Sequence, residues 1–535
     1  MLTWLNAHAA AALAVSIVTL SGCITRLTPA APPELTPTPS PRPTQTPDRR
    51  PAIDPPAWFD QATIYQIFPR SFYDTNGDGV GDLNGIRQKL DYIQSLGVNT
   101  LWLNPHYPST TYHGYDVEDY FSVHPELGTL DDFRALLDDL KARNMRLIVD
   151  YVANHASREH PFFKDAYGNP ASPYAQWFAF KDERNLTYES FFGTGYLPEW
   201  NHTYKPVREY LIKAAQFWLD LGVDGLRCDY ARGVEHWFWR ELRATVKAAH
   251  PNVVLLGEVW DGNPTLLRQY FEDGFDALFD FPWFLRMVGN ENKVGDGVIN
   301  GKLPPVMLQP SLAALQQLYP RGAQIVRFPS NHDTNRIASV VQGDSARMRL
   351  MAAASFLMPG IPIIYYGEEI GMRGVKGSGP TYDEFRREPM DWYAAEHGAG
   401  MTTWFKPPAR NNKPNDGVSV EEQETEPGSL LNFYRRLGAL RAAHPALRAR
   451  SFALLPLVDG CETCFGVWRW SDGEVMLALF NFSAKPQTAR LDALVAQAPV
   501  LPVGAHQKLL GEGQVADQIL ALSGWDAILL RWVIP

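Results

Sequence analysis

Four short polar segments, spread over about two hundred residues, constrain this chain more than any other feature. They are Asp150-Tyr-Val-Ala-Asn154-His155, Gly225-Leu-Arg227-Cys-Asp229, Gly257-Glu258-Val-Trp260 and Ser330-Asn-His332-Asp333. Three of them follow or close apolar, β-branched runs: Leu147-Ile-Val149, Val253-Val-Leu-Leu256 and Ile325-Val326. Parallel strands read as such runs because helices cover both faces of the sheet. The polar residues then fall at strand ends, where a (β/α)8 barrel assembles its active site. One carboxylate at a strand end is ordinary, but several on successive strands converge on one mouth, which is a catalytic arrangement.

At 535 residues the chain is too long for a single core unless that core is a barrel with appended domains. From Ala62 onward apolar β-runs alternate with helical stretches, which predicts a parallel sheet with helices outside. Eight strands are expected: Ile64 to Phe68, Thr100 to Leu103, Leu147 to Asp150, Gly225 to Asp229, Val253 to Glu258, Ala277 to Phe281, Gln324 to Phe328 and Pro362 to Tyr365. Helices are expected over Asp131 to Arg143 and Val207 to Leu221. The fold class is therefore α/β, a TIM barrel whose two parts span residues 58–153 and 207–446. The interval 154–206 is too long for an ordinary connection and is rich in aromatics, so it reads as an inserted domain after the third strand. Beyond Ala446 the apolar period shifts toward two, as in Val475-Met-Leu-Ala-Leu-Phe-Asn-Phe, which predicts a C-terminal antiparallel β-sandwich over 447–535.

The N-terminus reads as export machinery. Ala9 to Leu20 is apolar but short for a permanent bilayer span, and suits a signal peptide. It leads into Leu20-Ser21-Gly22-Cys23, which resembles a bacterial lipobox, so residues 1–23 are expected to be a lipoprotein signal ending at an acylated Cys23. No Lys or Arg precedes the apolar run, a departure from the usual signal pattern. Residues 24–57 are Pro- and Thr-rich, a semi-extended tether. The expected location is outside the cytoplasm, lipid-anchored at the cell envelope, with the anchor as the only membrane contact. A net charge of -10 leaves no basic footprint for nucleic acid. Cys461 and Cys464 are spaced to close a small disulfide in an oxidising compartment. Cys228 alternates with Arg227 and Asp229 along its strand and should face outward and be inert.

Hydrolysing a glycosidic bond with retention takes one carboxylate to attack the anomeric carbon and one carboxylic acid to protonate the leaving oxygen. Asp229 and Glu258, ending the fourth and fifth strands, would be neighbours across the barrel mouth. Arg227 shares a strand face with Asp229 and would hold it ionised. Val259 and Trp260 would desolvate Glu258 and keep its proton on near neutral pH. Asp333 and His332 would grip sugar hydroxyls more strongly as oxocarbenium character develops.

In order and content these segments resemble the four signature regions of the α-amylase family, glycoside hydrolase family thirteen, and the similarity runs from about Trp58 to the C-terminus. The resemblance implies Asp229 as nucleophile, Glu258 as acid/base and Asp333 as transition-state stabiliser, with Arg227, His155 and His332 around the sugar at the cleavage point. Tyr115, in His113-Gly-Tyr115-Asp116, matches the family's stacking tyrosine, and Leu197-Pro-Glu-Trp-Asn201 stands where the family has its fifth motif. The implied substrates are α-1,4-glucans and maltooligosaccharides, with an α-1,6-specific oligosaccharidase, neopullulanase-type enzyme or transglycosylase as the alternative.

Asp74-Thr-Asn76-Gly-Asp78-Gly-Val80-Gly-Asp82 sets oxygen donors at alternate positions in a Gly-rich loop, a hard-cation pattern. Gly85 stands at the twelfth position, so it is not an EF-hand. It resembles the calcium loop after strand one in many relatives, with Val80 lending its carbonyl. Such a calcium would be structural. Many starch-degrading members carry Lys-His shortly after the nucleophile, where this chain has Arg232-Gly233. His113 to Tyr120 and Glu388-Pro-Met-Asp391-Trp392 look more like the oligosaccharide-cleaving branch.

Overall fold

Eight parallel strands close into a barrel in sequence order: β1 Ile64–Ile67, β2 Thr100–Leu103, β3 Arg146–Tyr151, β4 Gly225–Cys228, β5 Val254–Gly257, β6 Ala277–Phe279, β7 Gln324–Arg327 and β8 Ile361–Tyr365. The computed structural model describes residues 48–289, 295–378, 382–405 and 410–534. The signal segment, Cys23 and most of the Pro/Thr-rich tether lie outside the described residues. Each strand falls where an apolar run predicts it. The reason is that all but one strand residue are buried, Arg146 at the amino end of β3 being the exception.

The helices outside the barrel obey their local signals. Helix Leu130–Ala142 starts in a reciprocal capping box between Thr129 and Asp132, and buries Phe133, Leu136 and Leu140 at helical spacing. Helix Lys205–Leu221 has Pro206 in its first turn and stops at Gly222, whose φ of 111° suits a residue without a Cβ. Between β3 and that helix the chain makes a short α-helix, Pro161–Ala166, a 3-10 turn, Phe191–Gly193, and isolated bridges such as His155 with Glu199 and Ser190 with Pro198. Its aromatics pack on one another and continue the barrel's core. Phe162 stacks on Tyr174 at 4.0 Å and Phe178 on Trp200 at 4.5 Å.

The C-terminal residues form β9 Phe452–Leu455, β10 Cys464–Ser471, β11 Glu474–Asn481, β12 Gln487–Arg490, β13 Val503–Leu510, β14 Gln514–Ala516, β15 Ile519–Leu522 and β16 Asp526–Val533. They make a five-stranded antiparallel sheet, β13-β16-β11-β10-β9, and a three-stranded one, β12-β15-β14. Alternation on β11 divides its side chains between two cores. Met476, Ala478 and Phe480 join the barrel's core, while Val475, Leu477 and Leu479 join Leu520 and Leu522 of the small sheet. Cys461 and Cys464 are joined in a disulfide, and Cys228 is a buried free thiol whose ionisation burial strongly opposes.

Candidate active site

Strand register builds the centre of the site. Asp150 on β3 is paired directly with Arg227 on β4, and parallel partners point to the same face. Arg227 Nη1 donates to Asp150 Oδ1 at 2.6 Å and to Asp229 Oδ1 at 2.7 Å. Its Nη2 lies 2.8 Å from Glu258 Oε1, an ion-pair contact whose angle is not that of a hydrogen bond. One planar guanidinium therefore holds carboxylates from the ends of three consecutive strands. Trp102 lies under it at 5.2 Å, and Tyr115 and Phe279 each at 5.9 Å. Asp150 also accepts from Trp102 Nε1 at 3.2 Å and Asn104 Nδ2 at 3.1 Å.

The turn after β4 aims the next contact. Tyr230 sits in the left-handed region with φ 38° and ψ 54°, and its amide donates to Glu258 Oε2 at 3.0 Å. Glu258 is thus held from two sides, by a cation at Oε1 and by a backbone N–H at Oε2.

The loop after β7 supplies the opposite wall. Gln66 Nε2 donates to His332 Nδ1 at 2.8 Å, which places the ring proton on Nε2, facing Tyr115 Oη at 2.6 Å and Asp333 Oδ2 at 3.0 Å. The Tyr115 and His332 rings are stacked, 5.6 Å apart and 11° from parallel. Arg387 Nη2 reaches Asp333 Oδ1 at 3.0 Å while its Nε donates to the His332 carbonyl at 3.0 Å. Asp333 is the most open of the acids, its side chain 30% exposed against 9% for Asp229 and for Glu258.

Burial and mutual repulsion outweigh Arg227 at the three central carboxyls. Desolvation first, then neighbouring carboxylates, push Asp150 up to about 6 and Asp229 and Glu258 each up to about 7. Three acids share one guanidinium, so the cluster binds a proton near neutrality and titrates as a unit. Asp333 differs: burial would raise it, but His332 and Arg387 beside it hold it well below the usual carboxylate range. Burial pulls His332 down to about 4, so at neutral pH it is an uncharged donor. Asp333 is then an ionised acceptor, while Arg227 does not hold Asp229 fully ionised as the sequence suggested; Asp229 and Glu258 share a proton near neutrality, and the form with one carboxylate and one acid is the one that acid-base chemistry at one linkage requires.

Asp229, Glu258, Asp333, Tyr115, Arg227 and His332 thus come together in one mouth. His155 is buried beside them, its Nδ1 3.3 Å from Asn154 Nδ2, its ring 4.8 Å from Phe191, and its Nε2 without a hydrogen-bond partner. The sequence reading left out Asp150, Gln66, Asn104, Tyr230 and Arg387. Asp150 opens the first polar segment and was legible there. Arg387 lies in a loop 22 residues beyond the end of β8, where no periodicity marks it. Arg232 is engaged by Asp261 Oδ2 at 3.1 Å and the Trp260 carbonyl at 3.0 Å.

In the Asp74 loop the acids fold the backbone. Asp74 accepts from the Asn76, Gly77 and Gly79 amides, and Asp78 from Val80. Asp82 caps helix Leu83–Gln88 through Gly85 and also accepts from Thr75. Among the described residues no three His, Cys, Asp or Glu side chains cluster at metal-ligating spacing. The donors remaining on Asp74, Asn76, Asp78 and the Val80 carbonyl are all oxygen, which suits a hard cation, whereas Asp82 is committed to the helix cap.

Residues 66–450 match the family model for the alpha amylase catalytic domain. Alpha-amylase 3 of Dictyoglomus thermophilum is 35% identical over 412 residues, covering 73% of this chain and 79% of its own. A cyclomaltodextrinase of a Bacillus species is 31% identical over 472 residues, covering 82% and 75%. The crystal structure of alpha-amylase from H. orenii superposes with a TM-score of 0.73 at 30% identity, covering 88% of this chain and 99% of that one.

Proposed function

Since the chain belongs to the alpha-amylase family and is an enzyme acting on glycosidic bonds, we propose that it cleaves α-1,4-glucosidic bonds of maltooligosaccharides and starch-like glucans with retention. The observation that carries this is the Arg227 fork, which holds Asp229 and Glu258 on one open mouth. Retaining chemistry needs two carboxyls close enough to flank one linkage, and here both are held by adjacent nitrogens of a single guanidinium.

Asp229 is the nucleophile: Arg227 binds Oδ1 and leaves Oδ2 to attack the anomeric carbon. Glu258 gives its proton to the departing oxygen, so that a covalent glycosyl-enzyme forms and the leaving sugar departs as an alcohol. Glu258, now a carboxylate, takes a proton from water, whose oxygen attacks the anomeric carbon and frees Asp229. Ionised Asp333 and the neutral His332 Nε2–H bind ring hydroxyls, Tyr115 packs on the sugar face, and His155 offers its unpartnered Nε2 to the same sugar.

A second reading, an α-1,6-cleaving or transferring enzyme on oligosaccharides, is favoured by the cyclomaltodextrinase relative and by a "Neopullulanase 2" of Thermoactinomyces vulgaris, 31% identical over 383 residues. Incubation with maltoheptaose, isomaltose and pullulan, with products resolved and their anomers identified, separates the two. Products of inverted configuration, or an Asp229→Asn variant at near-wild-type rate, would falsify the role assignment.

Calcium would be structural, held by Asp74, Asn76, Asp78 and the Val80 carbonyl, with Asp82 setting the loop against its helix. It would neutralise the loop's acids and tie β1 to the helix that follows. The enzyme is exported and tethered by a lipid on Cys23. The Cys461–Cys464 disulfide supports an oxidising compartment, and the stretch from Ala9 to Cys23 supplies the signal.

A further inference from the structure

We infer that Glu368 is a positioning residue for the reaction: through Ser330 it fixes the segment that carries His332 and Asp333, without itself reaching the sugar. The inference rests on the reading of Asp333 as the group that stabilises the transition state, and deepens it.

Two glycines turn Glu368 inward. After β8 the chain makes a short 3-10 turn, Glu368–Ile370, between Gly367 with φ 79° and Gly371 with φ 84°, and this turn buries both Glu368 and Glu369. Glu369 Oε1 accepts from the Tyr65 and Tyr92 hydroxyls, each at 2.7 Å, which ties it to β1 and to helix Leu90–Ser95. Glu368 has different partners: Oε2 accepts from Ser330 Oγ at 2.5 Å and Oε1 from Tyr434 Oη at 3.1 Å. Tyr434 is a buried residue of helix Leu430–Ala443. One oxygen is therefore anchored to that helix while the other grips the loop after β7.

Ser330 lies three residues before Asp333, and the segment between them is a closed turn. Asn331 Oδ1 accepts from the Asp333 amide at 2.9 Å, and Thr334 Oγ1 accepts from the Asn331 amide at 2.9 Å. Ser330, Asn331 and His332 are all buried. A shift at Ser330 is thus passed to His332 and Asp333 together. Arg386 and Arg387 hold the far end of this segment, at the Asp333 carbonyl, Asp333 Oδ1 and the His332 carbonyl. Glu368, only 3% exposed, holds the near end from beneath.

The tie is a neutral one. Arg336, the cation that acts on Glu368, donates Nε and Nη1 to the Arg386 and Tyr366 carbonyls and makes no ion pair with it. Burial above all, with Glu369 adding to it, pushes the Glu368 carboxyl up to about 8 against the pull of Ser330, Tyr434 and Arg336. At neutral pH Glu368 is a protonated acid, whose O–H and carbonyl a glutamine amide reproduces as one donor and one acceptor.

The test reads kcat and KM on maltoheptaose separately. Glu368→Ala and Ser330→Ala cut the same contact from its two ends, so each should lower kcat about tenfold with KM changed less than about threefold. The double variant should lose no more than the worse single, and Glu368→Gln should regain most of the rate. A side chain that only stabilises the fold would give neither result. Losses that multiply in the double variant, Ser330→Ala at the wild-type rate, or Glu368→Gln no better than Glu368→Ala would overturn the inference. If Glu368→Ala does not fold, the kcat of Ser330→Ala decides alone. Asp333→Asn separates the two readings: near-wild-type turnover in that variant would remove the role of Asp333, and with it the reason for positioning it.

Discussion

Glu258→Gln keeps the shape of the acid and removes its charge, and the charge count around Arg227 predicts a stability gain that depends on pH. Asp150, Asp229 and Glu258 all touch one guanidinium. Burial and the neighbouring carboxylates raise Glu258 from 4.5 to about 7. At about 1.4 kcal/mol per pH unit, the ionised side chain costs the fold at most about 3 kcal/mol. Because Asp229 and Asp150 redistribute protons when one member goes, about 1 to 3 kcal/mol is the expected range. A carboxyl raised in the fold contributes stability that is complete below its unfolded value near 4.5 and lost as pH rises through about 7. Glutamine has no such proton to lose, and like the protonated acid it keeps one carbonyl oxygen, which can face the Tyr230 N–H or Arg227 Nη2 but not both. The variant should therefore match wild type at pH 4.5 and melt higher at pH 8, by on the order of 1 to 4 °C for a chain of this size. Calorimetry at the two pH values measures it. An advantage of equal size at both pH values, or a lower melting point at pH 8, would refute the reasoning.

Asp333→Asn should behave in the opposite sense. His332 and Arg387 hold this carboxyl below its ordinary range, so its stabilising contribution is present at neutral pH and lost on acidification. The variant should melt lower than wild type at pH 7 and converge with it in acid. Arg387→Met should lower kcat/KM on maltoheptaose about 100-fold, by freeing Asp333 and the His332 carbonyl from their shared partner, and an effect under threefold would remove Arg387 from the site. Chelation should lower the melting temperature more than the initial rate at room temperature, since the Asp74 loop is remote in role from the chemistry. A melting curve unmoved by the chelator leaves that loop an ordinary turn. Cys23→Ser should release the enzyme from the membrane fraction with its specific activity intact, which fractionation and assay together check.

What was legible in the sequence follows from which residues have both faces covered. The barrel strands could be read almost to the residue because β2, β4 and β5 are buried throughout, so apolar runs alone delimit them. Asp229 and Glu258 stood out because a polar residue directly ending such a run has few structural uses, and Asp333 because of its segment Ser330-Asn-His-Asp333 in the loop after β7. Arg387 was not, since its position depends on how a loop folds back over β7 toward Asp333. Nor was the left-handed turn at Tyr230, which nothing in Asp229-Tyr-Ala-Arg-Gly233 requires of an aromatic residue. Asp150 lies between these cases: its segment stood out, but only the β3–β4 register shows that it shares Arg227 with Asp229. That register has a further consequence. Burial is the main reason that Asp229 lies near 7, and Asp150, a like charge sharing its guanidinium, raises it further. A residue remote from the sugar thus tunes the pH at which the two acids divide their proton, and Asp150→Asn should move the acid limb of the kcat/KM profile downward while leaving the product pattern unchanged.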